Sequence, residues 1–244
     1  MKEIALFFML MPVLQQPSFK EIQLKQSRVK TAYEEKEGIV KQYFSEKNLS
    51  FMKFQLFIRA FKKEQALEVW IKEKGKEEFT LLHTYDFCTT SGELGPKRRE
   101  GDLQIPEGVY HINHFNPQSN FFLSLGLNYP NTSDKILSHA TKPGGSIYIH
   151  GNCVTIGCIP ITDDKIKELY ILAVEARNNG QEKIPVHVFP TRLDKENVEK
   201  LIREYAPNTQ VKTFWKNLEP VYQDFESTKK LKLVKVNKKG EYYF

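Results

Sequence analysis

The chain has 244 residues, 40% of them hydrophobic and 27% charged, with 17 Phe and 11 Tyr. That is apolar mass enough for one large packed domain, and it excludes the disordered, collagen-like and disulfide-stapled classes. Thirty-six Lys and Arg against thirty Asp and Glu leave a formal charge of +6, which suits an anionic partner such as nucleic acid, anionic lipid or an acidic wall polymer without choosing among them.

Ile4 to Leu14 (IALFFMLMPVL) is a short apolar run behind Lys2, the length of a signal-peptide core, and residues 1–17 are read as an export signal. Glu3 and the missing small-x-small cleavage site depart from the usual signal. No run approaches the ~18 apolar residues of a membrane span. Residues 18–48 carry Val29, Ala32, Tyr33, Ile39, Val40 and Tyr43 at helical spacing, which predicts one long amphipathic helix weakened at Gly38. Phe54 to Phe61, Ala66 to Lys72 and Phe79 to Phe87 are β-rich segments separated by Lys, Glu and Gly, the pattern of consecutive hairpins. Basic residues alternate with acids here (Lys62, Lys63, Glu64; Lys72, Glu73, Lys74), as on a solvated face rather than a nucleic-acid footprint.

Thr89 to Gly108 holds Gly92, Gly95, Pro96, Gly101 and Pro106 and predicts a long surface loop of the kind that carries function. Val109 to Phe115 and Phe121 to Leu127 read as strands. In Ser146 to His150 the alternation puts Ile147 and Ile149 on one face and Ser146, Tyr148 and His150 on the other. Asp163 to Asn178 predicts a helix from Ile166, Leu169, Tyr170, Ala173 and Val174, with Thr162 as cap, Ile161 and Ile166 as staple and Gly180 as stop. Ile184 to Phe189 is a further strand. Glu196 to Tyr205 and Val211 to Phe225 read as helices, and Leu231 to Val236 with Tyr242 to Phe244 as a terminal hairpin around Lys238, Lys239 and Gly240. With no internal repeat and no low-complexity linker, this is one continuous α+β unit: a helical segment at 18–52, a mainly antiparallel β core at 53–190 and a helical extension with its hairpin at 191–244.

Cys88, Cys153 and Cys158 are an odd set, too few for a disulfide framework and enough for one reactive thiol. Two of them lie in the densest reactive cluster, His150-Gly151-Asn152-Cys153-Val154-Thr155-Ile156-Gly157-Cys158-Ile159-Pro160, which follows a strand and precedes a helix. Rigid scaffolds present chemistry at such places. Gly151 and Gly157 allow the loop to double back so that a thiol meets an imidazole, and a neighbouring imidazolium lowers a thiol from its ordinary pKa of ~8.5. Gly157 also suits a tight turn that aims main-chain N–H groups at a developing oxyanion. Three other readings stand beside the nucleophile: Cys153 and Cys158 as small buried hydrophobes, the two joined as a disulfide, or His150, Cys153 and Cys158 on zinc, for which a fourth ligand is missing.

The run I-H-G-x-C-x-T-x-G-C from Ile149 to Cys158 resembles the signature of the L,D-transpeptidase (YkuD-like) catalytic domain family, His-Gly followed by Ser/Thr-x-Gly-Cys. It is most similar to the short-spaced, YafK-like branch of murein L,D-transpeptidases and hydrolases. Flanking segments agree: Lys97-Arg98-Arg99-Glu100-Gly101-Asp102, Pro106-Glu107-Gly108-Val109-Tyr110-His111-Ile112, Phe122-Leu123-Ser124-Leu125-Gly126, Tyr129-Pro130-Asn131 and Gly145-Ser146-Ile147-Tyr148-Ile149-His150-Gly151. The resemblance spans about Phe54 to Pro190, and more weakly Phe214-Trp215 to Phe225-Glu226.

The resemblance implies a β-sandwich-like catalytic core in an exported, periplasmic or cell-envelope enzyme that needs no cofactor and no metal. Cys158 would be the nucleophile and His150 the general base, oriented by the main-chain carbonyl of Gly151. The amides of Ile156, Gly157 and Cys158 would form the oxyanion hole, and Thr155 and Tyr148 would line the substrate. The partner would be the diaminopimelate-containing peptide stem of peptidoglycan, acylating Cys158 as a thioester that an amine or water then resolves. The alternatives are an L,D-carboxypeptidase or hydrolase releasing a wall-linked lipoprotein, and a non-catalytic wall-binding module. Longer-spaced relatives have His where Ile156 stands and, where Pro160 stands, an Arg that holds the substrate carboxylate. Lys97, Arg98 or Arg99 in the long loop is the expected substitute, and the alternative reading is that they are solvated loop charges. Cys153 is read as a spectator, and His83, His111, His114, His139 and His187 as structural histidines.

Overall fold

The computed structural model describes residues 16–138, 142–205 and 208–244, so the apolar run at 4–14 and His139 lie outside the described residues. The chain opens with α1 (Phe19–Leu24) and α2 (Ser27–Glu46), followed by β1 (Phe54–Phe61), β2 (Ala66–Glu73) and β3 (Thr80–Asp86). After the long loop come β4 (Gly108–Ser119), β5 (Phe122–Leu127) and α3 (Thr132–Leu137). The short strands β6 (Tyr148–His150) and β7 (Ile159–Pro160) flank the reactive cluster and lead into α4 (Asp163–Asn178) and β8 (Ile184–Phe189). The C-terminal part is α5 (Lys195–Glu204), α6 (Thr209–Thr228) and a small hairpin of β9 (Lys235–Val236) and β10 (Tyr242–Tyr243). The fold is α+β. No helix among the described residues is long and apolar enough to cross a membrane.

Eight strands form one mixed sheet in the order β3-β2-β1-β8-β4-β5-β6-β7. Among the described residues only β1–β8 and β6–β7 pair in parallel, so the core is mainly antiparallel. β8 enters late in the chain and sits between the two hairpins, with Val186 facing Ile58 on one side and Tyr110 on the other.

β1 reads FQLFIRAF without clean alternation because both its faces are covered. Leu56, Ile58 and Ala60 join the main core under α2 and α4, with Val29, Val40, Leu169 and Val174. On the opposite face Phe57 meets Phe225 and Phe61 meets Tyr222 of α6. The buried Arg59 fastens that outer layer: it donates to Glu68 at 2.6 Å and Glu226 at 2.7 Å, while Trp70 donates to Glu68 at 2.9 Å. Removing one partner from such a buried group costs about 3–5 kcal/mol. The layers are therefore α2 and α4, the sheet, and α5 with α6.

Several local expectations change. The N-terminal helix breaks at Lys25 and Gln26, after a Ser18–Glu21 capping box has started α1, rather than at Gly38. Gly38 lies inside α2 with open space around it, and burial of Val40 and Phe44 beyond it offsets the ~1 kcal/mol that glycine costs a helix. Thr162 precedes α4 at φ 74°, makes no side-chain cap and donates its amide to the Asn152 carbonyl at 3.2 Å. α3 was not anticipated, although its Asn131–Asp134 capping box is visible in the sequence.

The outermost strands of the sheet end beside each other, so the sheet curls. Cys88, just past β3, donates its amide to the Pro160 carbonyl of β7 at 3.0 Å. Cys88 and Cys153 form a disulfide across 65 residues, Cα to Cα 5.6 Å. Cys153 is thus half of a disulfide, and its pairing removes both the Cys153–Cys158 disulfide and the zinc alternative. Spacing could not show this, since the curl alone brings residue 88 to the cluster.

Candidate active site

The site is built on the edge strands β6 and β7. Their parallel register pairs Ile149 with Ile159 and His150 with Pro160. Ile149 and Ile159 are both fully buried in the main core. By alternation the side chains of Tyr148 and His150, and of Cys158 one residue ahead of Ile159, leave from the other face. His150 and Cys158 therefore share a side of the sheet, offset by about 7 Å along the strand, the rise of two residues.

His150 is buried and its ring stacks on Phe121 at 4.4 Å. Its Nδ1 lies 2.5 Å from the Gly151 carbonyl oxygen. A carbonyl can only accept, so Nδ1 carries the proton and Nε2 keeps its lone pair. Burial holds the imidazole below the ordinary histidine range, opposed by that hydrogen bond. The ring is neutral near pH 7, the state a base needs.

Gly151 has no room for a side chain. A Cβ would collide with Asp163 Oδ1 and come within 2.7 Å of the Phe121 carbonyl. At Gly157 φ is +132° and a Cβ would approach the Gln104 carbonyl to 2.9 Å, so both the conformation and the space demand glycine.

Cys158 is the free thiol among the described cysteines and is half-buried, its Sγ 3.7 Å from the Ser146 carbonyl oxygen. Burial pushes the thiol up, and the Tyr148 amide and the Lys97 ammonium pull it only partly back. Both directions favour a neutral thiol and a neutral imidazole at rest over a thiolate held by an imidazolium. The low-dielectric setting around this half-buried thiol penalises its charged form.

Thr155 braces the turn from within. Its hydroxyl donates to the Cys158 carbonyl at 2.8 Å and accepts from the amides of Gly157 at 3.1 Å and Cys158 at 2.8 Å. Two of the three amides expected in the oxyanion hole thus converge on one oxygen at rest. Ile156 and Val154 project into solvent, 78% and 50% exposed, as an apolar lip on the loop.

The long loop forms the facing wall around Asp102, whose carboxylate accepts from the amides of Arg98 (3.0 Å), Arg99 (3.0 Å) and Gln104 (3.1 Å) and from Lys97 Nζ (2.5 Å). Lys97 is buried, and its Nζ also donates to the Arg99 carbonyl at 3.0 Å. Arg98 is already committed: it pairs with Asp134 at 2.8 Å and lies over Phe214. Burial raises the Asp134 carboxyl to about 6 against the pull of Arg98. Arg98 and Arg99 line a cavity of about 950 Å³ between this loop and α6. Gln104, whose carbonyl abuts Gly157, lines it too. Phe121, Ser146, Asp102 and Asp163 complete the site and carry no role in the sequence reading, although Asp102 and Ser146 stand within quoted motifs.

His187 is buried, with Nδ1 unpartnered, and His83 stacks on Tyr43.

The profile of the L,D-transpeptidase catalytic domain (YkuD) matches residues 56–188. YafK of Escherichia coli (strain K12) is 34% identical over 183 residues, 74% of this chain and 70% of that protein. Among solved structures, the helical cell shape determining protein Pgp2 from Campylobacter jejuni is 19% identical with a TM-score of 0.45, covering 82% of this chain and 80% of that chain. Its K307A mutant is 21% identical with a TM-score of 0.45, covering 75% of this chain and 66% of that chain.

Proposed function

This chain belongs to the YkuD L,D-transpeptidase family, and from that premise we propose that it is a cysteine-dependent acyl transferase acting on peptidoglycan stem peptides through Cys158. The observation that carries the reading is the His150 Nδ1–H bond to the Gly151 carbonyl, on a strand whose parallel neighbour leads out of Cys158. It leaves Nε2 as the proton acceptor on the side of the sheet from which the sulfur leaves.

In the first half-reaction His150 Nε2 takes the Cys158 proton as Sγ bonds to the stem carbonyl carbon. Both groups start neutral, so base and nucleophile act in one step. The Gly151 carbonyl stabilises the imidazolium. The amides of Ile156, Gly157 and Cys158 receive the oxyanion, the last two displacing the Thr155 oxygen that holds them converged at rest. The C–N bond breaks, the amine leaves with the proton from His150, and a thioester remains. An amine or water then resolves it. Tyr148 borders the nucleophile, and Arg99, whose side chain makes no ion pair among the described residues, takes the substrate carboxylate in place of the Arg that Pro160 supplants. The Cys88–Cys153 bond supports an oxidising, exported compartment.

The test is turnover of a disaccharide-tetrapeptide with and without an amine acceptor, alongside carbapenem labelling followed by mass. Wild type is expected to form one adduct, absent from Cys158→Ser, and to give tripeptide or a cross-linked dimer. His150→Ala is expected to lose about 10²–10⁴-fold in turnover while staying folded. Absence of any adduct favours a non-catalytic wall binder, and near-normal turnover of His150→Ala removes the general base.

A further inference from the structure

The bridge between Cys88 and Cys153 takes no part in the proposed chemistry, yet it grips the loop between the two reacting groups. Residues 151–153 are held at several points. The Asn152 amide donates to Asp163 Oδ1 at 2.7 Å, the Thr162 amide donates to the Asn152 carbonyl at 3.2 Å, and the Cys153 amide donates to Asn152 Oδ1 at 2.6 Å. Asn152 sits at φ 58°, a conformation a non-glycine residue keeps only where its surroundings enforce it. The Gly151 carbonyl that fixes the His150 tautomer lies in this turn. At the other end of the loop, Pro160, two residues after Cys158, accepts the Cys88 amide at 3.0 Å. Cys88 therefore ties the end of β3 to both ends of the cluster, to Cys153 covalently and to Pro160 by a hydrogen bond. The outer part of the loop has little other cover, since Val154 and Ile156 are solvent-exposed.

We propose that the Cys88–Cys153 disulfide is a positioning clasp that holds the Gly151 carbonyl, and through it His150, in the geometry for proton transfer, so that full turnover requires the oxidised pair. The inference rests on the acyl-transfer reading above. Closing the clasp takes one proton and one electron from each thiol and passes them to a disulfide oxidant, which becomes a dithiol. Dithiothreitol reverses it by forming its own cyclic disulfide.

The state of the clasp is read first by iodoacetamide labelling of unfolded protein purified without reductant. One thiol is expected to label before reduction and three after; three before reduction overturns the proposal. Its role is read from the double variant Cys88→Ser/Cys153→Ser, because a single substitution would leave a stray thiol near Cys158. At a temperature where circular dichroism shows the variant folded, kcat is expected to fall about tenfold or more with KM within twofold, the scale of a small misplacement of a catalytic group. Hydrogen exchange at residues 151–158 is expected to quicken while β1 and β8 stay unchanged. A kcat within twofold of wild type overturns the clasp. Should the variant not fold, dithiothreitol treatment of folded wild type supplies the same comparison. Should wild type turn over no stem peptide, the functional reading fails, and unchanged exchange at 151–158 would then overturn the clasp on its own.

Discussion

A neutral resting thiol at Cys158 has a measurable consequence in the pH profile of its alkylation. A small electrophile such as iodoacetamide reacts with the thiolate, so its rate follows the ionised fraction. Burial holds Cys158 above the ordinary thiol range. An ordinary thiol of pKa ~8.5 is about 3% ionised at pH 7, and the upward direction at Cys158 makes its ionised fraction, and so its alkylation rate relative to the alkaline plateau, smaller still. A preformed thiolate–imidazolium pair, whose thiolate has a pKa of ~3–4 in cysteine enzymes that use one, would already react near its plateau at pH 6. His150→Ala separates the two cases again. If no imidazolium acts on the sulfur at rest, the midpoint stays within about half a unit while turnover is lost; in the ion-pair case it rises by several units. The assay is the second-order rate of adduct formation at Cys158 by mass spectrometry from pH 5 to 10, on protein shown folded across the range. A plateau reached below pH 7 refutes the neutral resting pair.

Two further outcomes follow from the site and the core. Thr155→Val strands the Gly157 and Cys158 amides without their acceptor, so about 2 kcal/mol of stability and about 10–100-fold in kcat/KM should be lost, with Thr155→Ser restoring both; urea unfolding and muropeptide turnover measure them, and a Val variant within twofold of wild type denies Thr155 its bracing role. His187 is fully buried and held neutral, its pKa lowered to about 3 by burial and by Arg59. Its depressed folded pKa means stability that is complete above the ordinary histidine range near 6.5 and is lost as pH falls toward about 3. Urea midpoints at pH 7, 5 and 4 should therefore fall less steeply in His187→Leu, and an identical slope would show that His187 does not drive the acid limb.

Local chemistry made much of the molecule legible from sequence. Ile166, Leu169, Tyr170, Ala173 and Val174 announce α4 because an amphipathic helix facing a core must repeat near 3.6 residues. Ile147 and Ile149 against Tyr148 and His150 announce the face of β6 because strand side chains alternate. The candidate pair itself stands within eight positions, and the two glycines that shape the loop are explicit in the chain. The β1 segment is legible as a strand but not as a central one, since FQLFIRAF is covered on one side by α2 and α4 and on the other by α6, and α4 and α6 are distant in sequence.

What only the tertiary structure decided were matters of closure and of who neighbours whom. The place of β8 between β1 and β4, the curl that carries Cys88 to Cys153, and the commitment of Arg98 to Asp134 depend on contacts between residues far apart in the chain, on which spacing is silent. The charge of the sulfur belongs to the same class. A thiol and an imidazole in one loop suggest an ion pair, but ionisation depends on how much water the folded surroundings leave around the group, and burial pushes the Cys158 thiol up.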